Sequence, residues 1–229
     1  MPNTNKPTPQ LLGLLLAGGK SSRFDGDDKG LHRLKGKPMA WHVIEQLKPQ
    51  VNAMAISCNR NTDKYQQLFQ NSGCKNAMTG PSACIGDSNA LRFAGPLSGI
   101  YAFLSQLDCI SRIQSSAEHD NKPSLYIAAV CCDMPAISTH FVDQLYRAIE
   151  KTEHKAAYFS TPSHAYYFPC LFEANAALEE LLTMLQESSR HNRQFMSVKN
   201  LLLRLNAKAV TTKLQTENFI NINSKADIA

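Results

Sequence analysis

The residues with the clearest chemical potential lie in one segment, Leu15 to Gly30, which reads LLAGGKSSRFDGDDKG. Gly18 and Gly19 follow a short apolar run, so backbone N–H groups there can approach a ligand closely. Lys20, Arg23 and Lys29 add cations to the same loop, the make-up of a cradle for a triphosphate. A glycine turn with solvated charges is the plainer alternative. A second candidate is Asp133, in the segment Cys131-Cys132-Asp133-Met134-Pro135 that follows the most apolar run of the chain. A carboxylate leaving the carboxyl end of a parallel strand is well placed to hold Mg²⁺, which favours one or two carboxylates plus phosphates. Here too a turn-forming aspartate is the alternative.

Other chemistries are set aside by spacing. A P-loop would need glycine where Leu14 stands, and the dinucleotide fingerprint G-x-G-x-x-G is absent. The seven cysteines include no C-x-x-C pair and the seven histidines no H-x-x-x-H, which argues against zinc and for reduced thiols. A net charge of +5 without a basic run gives no nucleic-acid surface. The first ten residues are polar and proline-rich and lack the pattern of a signal peptide. They are expected to be disordered, with residues 11–229 forming a single domain in a soluble, cytoplasmic protein. No stretch is apolar enough to span a membrane.

The elements that must position these residues follow from periodicity. Leu11–Ala17 reads as a buried strand, Pro38 as the first residue of a helix, and Ala53–Cys58 as the next strand. A polar helix near Asp63–Gln70, a weak strand near Lys75–Met78 and a loop over Gly80–Ala94 come next. A helix opens at Pro96, and Ser111–Pro123 reads as a surface excursion. Leu125–Val130 is continuously apolar, as expected of a parallel strand covered on both faces. A helix over Thr139–Lys151 follows, then a hairpin-like pair, Lys155–Ser160 and Ala165–Phe168. Helices near Ala174–Glu187 and Gln194–Leu205 precede short strands near Ala207–Thr211 and Phe219–Ile222. The alternation predicts a three-layer α/β fold around a mainly parallel, Rossmann-like sheet.

The first loop resembles the nucleotidyltransferase signature L-A-G-G-x-S-x-R-M-G-x-x-D-K, in the form carried by the molybdenum cofactor guanylyltransferases. Leu16, Ala17, Gly18, Gly19, Ser21, Arg23, Asp28 and Lys29 are in register, while Phe24 and Asp25 replace Met-Gly. Gly36-Lys37-Pro38, Asn59-Arg60, Gly95-Pro96-Leu97-Ser98-Gly99, Cys132-Asp133 with Pro135, and Phe219 with Asn221 and Asn223 continue the resemblance in order. It implies a nucleotidyltransferase fold and GMP transfer from GTP to a molybdopterin-type cofactor, with release of pyrophosphate. By the same resemblance Leu16, Ala17, Gly18, Gly19, Ser57 and Asp87 contact the nucleotide, and Lys29 meets its phosphates. Asp133, completed by Asn223, would hold Mg²⁺, with Arg23 and Lys29 offsetting phosphate charge. Asn221, and Arg193 from a basic cluster with Arg190 and His191, would face the pterin substrate. Molybdoenzymes or their chaperones are the implied protein partners. Ser57 stands in place of the family's Asn, Phe168-Pro169 in place of His-Pro, and Ser224 onward in place of T-P-E-E. A cytidylyltransferase, a sugar-phosphate nucleotidyltransferase, or a nucleotide-binding regulator without turnover are the alternatives.

Overall fold

A computed structural model describes residues 8–19, 27–77, 82–88, 91, 95–114, 123–188, 195–212, 219 and 221–222. Its central sheet has seven strands in the order β5-β4-β1-β6-β8-β7-β9. These are β1 (Gln10–Leu16), β4 (Ala53–Ser57), β5 (Cys84–Ile85), β6 (Leu125–Cys131), β7 (Ala156–Ser160), β8 (Ala165–Glu173) and β9 (Lys208–Thr211). β5, β4, β1 and β6 run parallel, β8 is antiparallel to both β6 and β7, and β9 is parallel to β7.

Side-chain alternation along β1 feeds two separate cores. Leu15 points to one face with α1 (Met39–Leu47), α2 (Thr62–Ser72) and α4 (Phe141–Ile149). Leu12, Leu14 and Leu16 point to the other, with α3 (Pro96–Gln114), α5 (Ala174–Ser188) and α6 (Val198–Arg204). A strand buried on both sides must be apolar at every position, which is why Leu125–Val130 reads as a continuous run. The three-layer, mainly parallel expectation matches this architecture.

Several boundaries differ from the sequence reading, each for a local reason. Near Asn76 there is one isolated bridge to Met54, and the strand beside β4 is instead Cys84–Ile85, inside the expected loop. Pro38 is not the first residue of a helix. It ends β3 (Lys37–Pro38), which pairs with β2 (Arg33–Leu34) across a two-residue turn, and α1 starts at Met39. Lys35 and Gly36 both have positive φ, 48° and 80°, as a tight hairpin turn with right-handed strands requires. α3 continues through Gln114, into the expected surface excursion. β8 runs on to Glu173 because Pro169 falls where the ladder to β7 is irregular. The partners jump there from Tyr158–Cys170 to Phe159–Tyr166, so no sheet hydrogen bond is asked of the proline. The last two helices are Ala174–Ser188 and Val198–Arg204, and neither Phe219, Asn221 nor Ile222 lies in a strand.

Candidate active site

The parallel strands bring four chain segments to one edge. Leu16 at the end of β1 is in register with Ser57 on one side and Cys131 on the other. Backbone bonds carry the ladder one residue further, from Ala17 N to Ser57 O (2.7 Å), Cys132 N to Leu16 O (3.0 Å) and Cys58 N to Ile85 O (2.9 Å). Gly18, Asn59, Asp87 and Asp133 therefore leave the sheet side by side. In open α/β sheets ligands bind outside the carboxyl ends of the strands, and these groups stand at such an edge.

On the β4–β5 side, the side chain of Asn59 ties two loops together. Its Nδ2 donates to Gly18 O at 3.3 Å, and its Oδ1 accepts from Asp87 N at 2.8 Å. A Cβ on Gly18 would come 2.8 Å from Asn59 Nδ2 and 3.4 Å from Asp87 Oδ1, so any side chain there would push against the Asn59 tie. The buried Ser57 hydroxyl donates to Asp87 Oδ1 at 3.4 Å. Ser57 and Asp87, chosen separately from the sequence, thus share one carboxylate beside the glycine pair.

On the β6 side, Lys29 Nζ donates to Asp133 Oδ2 at 2.7 Å, with both side chains 15% exposed. Asp133 Oδ1 is buried and, among the described residues, has no hydrogen-bond partner. A carboxylate oxygen withdrawn from water without a partner is costly, and a cation or donor supplied by a ligand would satisfy it. Cys131 and Cys132 flank this carboxylate. Burial, followed by the charge of Asp133, pushes both thiols up, so neither is a ready thiolate.

The chain end reaches the same place. Ile222 N donates to Asp133 O at 2.9 Å, and Phe219 stacks on Tyr166 and leans on Phe159. Asn221 is exposed on this segment. Arg23, Arg193 and Asn223 lie outside the described residues, as do Lys20 and the rest of the basic cluster.

Sequence reasoning missed the side chains that hold the others. Asn59 was matched only as part of an Asn-Arg pair, and its two bonds come from loops far away in the chain. Asp28, matched only as a signature residue, accepts at Oδ1 from the Tyr65 hydroxyl (2.6 Å) and Gly30 N (3.2 Å). Its Oδ2 accepts from Asn61 Nδ2 at 3.0 Å. Tyr65 lies in the segment that reads in sequence only as a polar helix.

Fold and site together define an α/β protein that collects a glycine turn, a lysine and two aspartates at the carboxyl ends of parallel strands, an arrangement suited to an anionic ligand with a cation. The chain matches the MobA-like NTP transferase domain over residues 13–205, and it belongs to that family. A molybdenum cofactor guanylyltransferase of Yersinia pestis is 31% identical over 96% of this chain and 93% of its own. The one from Burkholderia vietnamiensis is 36% identical over 62% of this chain, a match spanning 58% of that relative. Among solved structures, molybdopterin-guanine dinucleotide biosynthesis protein A of Archaeoglobus fulgidus shares the fold with a TM-score of 0.62 at 20% identity, covering 95% of this chain and 94% of that one. A 4-diphosphocytidyl-2C-methyl-D-erythritol synthase of Anaerococcus prevotii shares it with a TM-score of 0.59 at 11% identity, covering 96% and 93%.

Proposed function

We propose that this protein transfers GMP from GTP to a molybdopterin-type cofactor, forming the guanine dinucleotide and releasing pyrophosphate. The observation that carries the reading is the buried, unpartnered Oδ1 of Asp133 beside the Lys29 ammonium, in line with the Gly18 edge. Names of relatives that match nearly the whole chain support the same activity.

In this reading the backbone of Gly18 and Gly19 takes the nucleotide against the end of β1. Asp87, held by Ser57 and Asn59, offers carboxylate oxygens to the N–H and amino groups of guanine. Lys29 turns its charge from Asp133 toward the phosphates and stabilises the negative charge that builds there. A phosphate oxygen of the acceptor attacks the α-phosphorus in line, the bond to the leaving oxygen breaks, and pyrophosphate departs. No covalent enzyme intermediate is needed, so positioning and charge account for the rate. Asp133 would hold Mg²⁺, which supplies Lewis-acid charge at the phosphates when bound. Among the described residues no three His, Cys, Asp or Glu side chains come together, so one carboxylate with phosphates and water is the ligand set on offer. Arg23, Asn221, Asn223 and Arg193 belong to the same proposal as phosphate, pterin or metal contacts. Among the described residues no helix is long and apolar enough to cross a membrane.

The test is direct. Protein, GTP, Mg²⁺ and molybdopterin are incubated, and both pyrophosphate and the dinucleotide are measured by mass. Both products, lost on omission of Mg²⁺, are the expected result. Product from CTP and none from GTP would transfer the reading to cytidylyl chemistry.

A further inference from the structure

Lys29 sits on a single turn of 3-10 helix, Lys29–Leu31, at the rim of the site. A lysine on so short an element has many rotamers and weak backbone support, yet its Nζ lies 2.7 Å from Asp133. The residues on either side of it explain how it is held. Asp28 caps the turn, and its side chain is only 5% exposed. Both of its oxygens are taken, by Tyr65 and Gly30 on one and Asn61 on the other, with Arg60 Nε at 3.6 Å. Gly30 is the matching constraint. A Cβ there would collide with the Tyr65 hydroxyl and sit 3.1 Å from Cys132 Sγ. Tyr65 is fully buried in α2, and burial pushes its hydroxyl up, so it remains a donor. The turn is therefore gripped from below by α2 and pressed from the side by the loop that carries Asp133.

We propose that Asp28, clamped by Tyr65 and Asn61, is the positioning residue that fixes where the Lys29 ammonium arrives, and that α2 thereby sets the lysine's place in the nucleotide site. The proposal deepens the guanylyltransferase reading without depending on it for its test. Asp28 and Tyr65 touch neither Asp133 nor any reacting atom; they act through the backbone of Lys29 and Gly30. Asn61, whose amide donates to Asp28, is in the αL conformation with φ of 53°, which Asn and Asp adopt more readily than most side chains.

The experiment uses the full chain and reads the Lys29–Asp133 distance. A zero-length carbodiimide joins an amine to a carboxylate only when the two are in contact, with loss of one water, and the cross-linked peptide is quantified by mass spectrometry. Tyr65→Phe and Asp28→Asn are expected to lower the yield about tenfold while circular dichroism stays native, since loss of a fixed geometry is felt steeply. Asn61→Asp places a second carboxylate against Asp28 and is expected to lower it as well. The double change Asp28→Asn with Asn61→Asp restores a donor facing an acceptor and is expected to recover most of the wild-type yield, which a merely destabilising pair would not do. In turnover, Tyr65→Phe should lower kcat about tenfold with little change in the KM for the acceptor. Wild-type cross-linking in both Tyr65→Phe and Asp28→Asn overturns the clamp. Failure of the double change to recover does so too. A wild-type protein that cross-links as expected but transfers no GMP would leave the clamp standing and remove the guanylyltransferase reading instead.

Discussion

The two halves of the sheet are built by different rules. In the half formed by β5, β4, β1 and β6, all strands run one way, and their carboxyl ends deliver Gly18, Asn59, Asp87 and Asp133 to one edge. In the half formed by β8, β7 and β9, β8 runs against its neighbours on both sides, and its ladder to β7 is interrupted beside Pro169. On its outer side Phe195, just before α6, and Leu203 within it are exposed, at 66% and 59%, and the ion pairs of Arg204 with Glu180 and Glu187 lie on the surface. Parallel strands concentrate chemistry, because every loop at one end follows a strand in the same sense. Antiparallel strands send successive loops to opposite ends. The second half meets the site through Phe219 and Ile222, the latter hydrogen-bonded to Asp133 O.

Four substitutions sharpen or break this contrast, beginning with the largest effect. Phe172 in β8 is fully buried, and Phe172→Ala should lower unfolding free energy by about 3–5 kcal/mol in chemical denaturation. Nucleotide affinity of the molecules that remain folded should not change. Asp133→Asn is the reverse case. Turnover should fall by about 10²–10³ in a pyrophosphate-release assay, with a melting temperature close to wild type. If it instead lowered the melting temperature by several degrees and left turnover unchanged, the division between supporting half and chemical half would be wrong.

Gly18→Ala pushes a methyl against Asn59 and Asp87. About a tenfold loss of nucleotide affinity is expected from fluorescence titration, because the loop must shift to admit it. Leu203→Ser on the exposed face of α6 is the smallest change. Stability should move by less than about 0.5 kcal/mol and kinetics not at all. A measurable kinetic effect there would draw the second half into the site.

The halves also differ in how far the sequence revealed them. Continuous apolar runs made β1 and β6 legible, and Gly18-Gly19 and Asp133 stood out by following those runs directly. β5 was illegible because two residues carry no period, and Cys84–Ile85 pairs with β4 through long-range contacts alone. The end of α3 was hidden by its polar composition beyond Ser111. β8 was cut short because Pro169 argues against a strand interior, and only the ladder shows the irregularity that accommodates it. Within the site, Gly18, Asp87 and Asp133 carried an expected role from the sequence, whereas Asn59 and Asp28 stood in motifs without one and Tyr65 stood in none. Their roles depend on partners brought close by folding, and a buried tyrosine on a helical stripe looks the same with or without an aspartate at its hydroxyl.

The central claim is that the edge at Gly18, Asp87 and Asp133 binds a guanine nucleotide together with a divalent cation. Calorimetric titration of GTP, CTP and ATP into wild type and Asp133→Ala, with and without Mg²⁺, tests it most directly. GTP should bind in preference to the others, with affinity that rises with Mg²⁺ in wild type and loses that dependence in Asp133→Ala. Binding of GTP that is equal in both proteins and indifferent to Mg²⁺, or a preference for CTP, would contradict it.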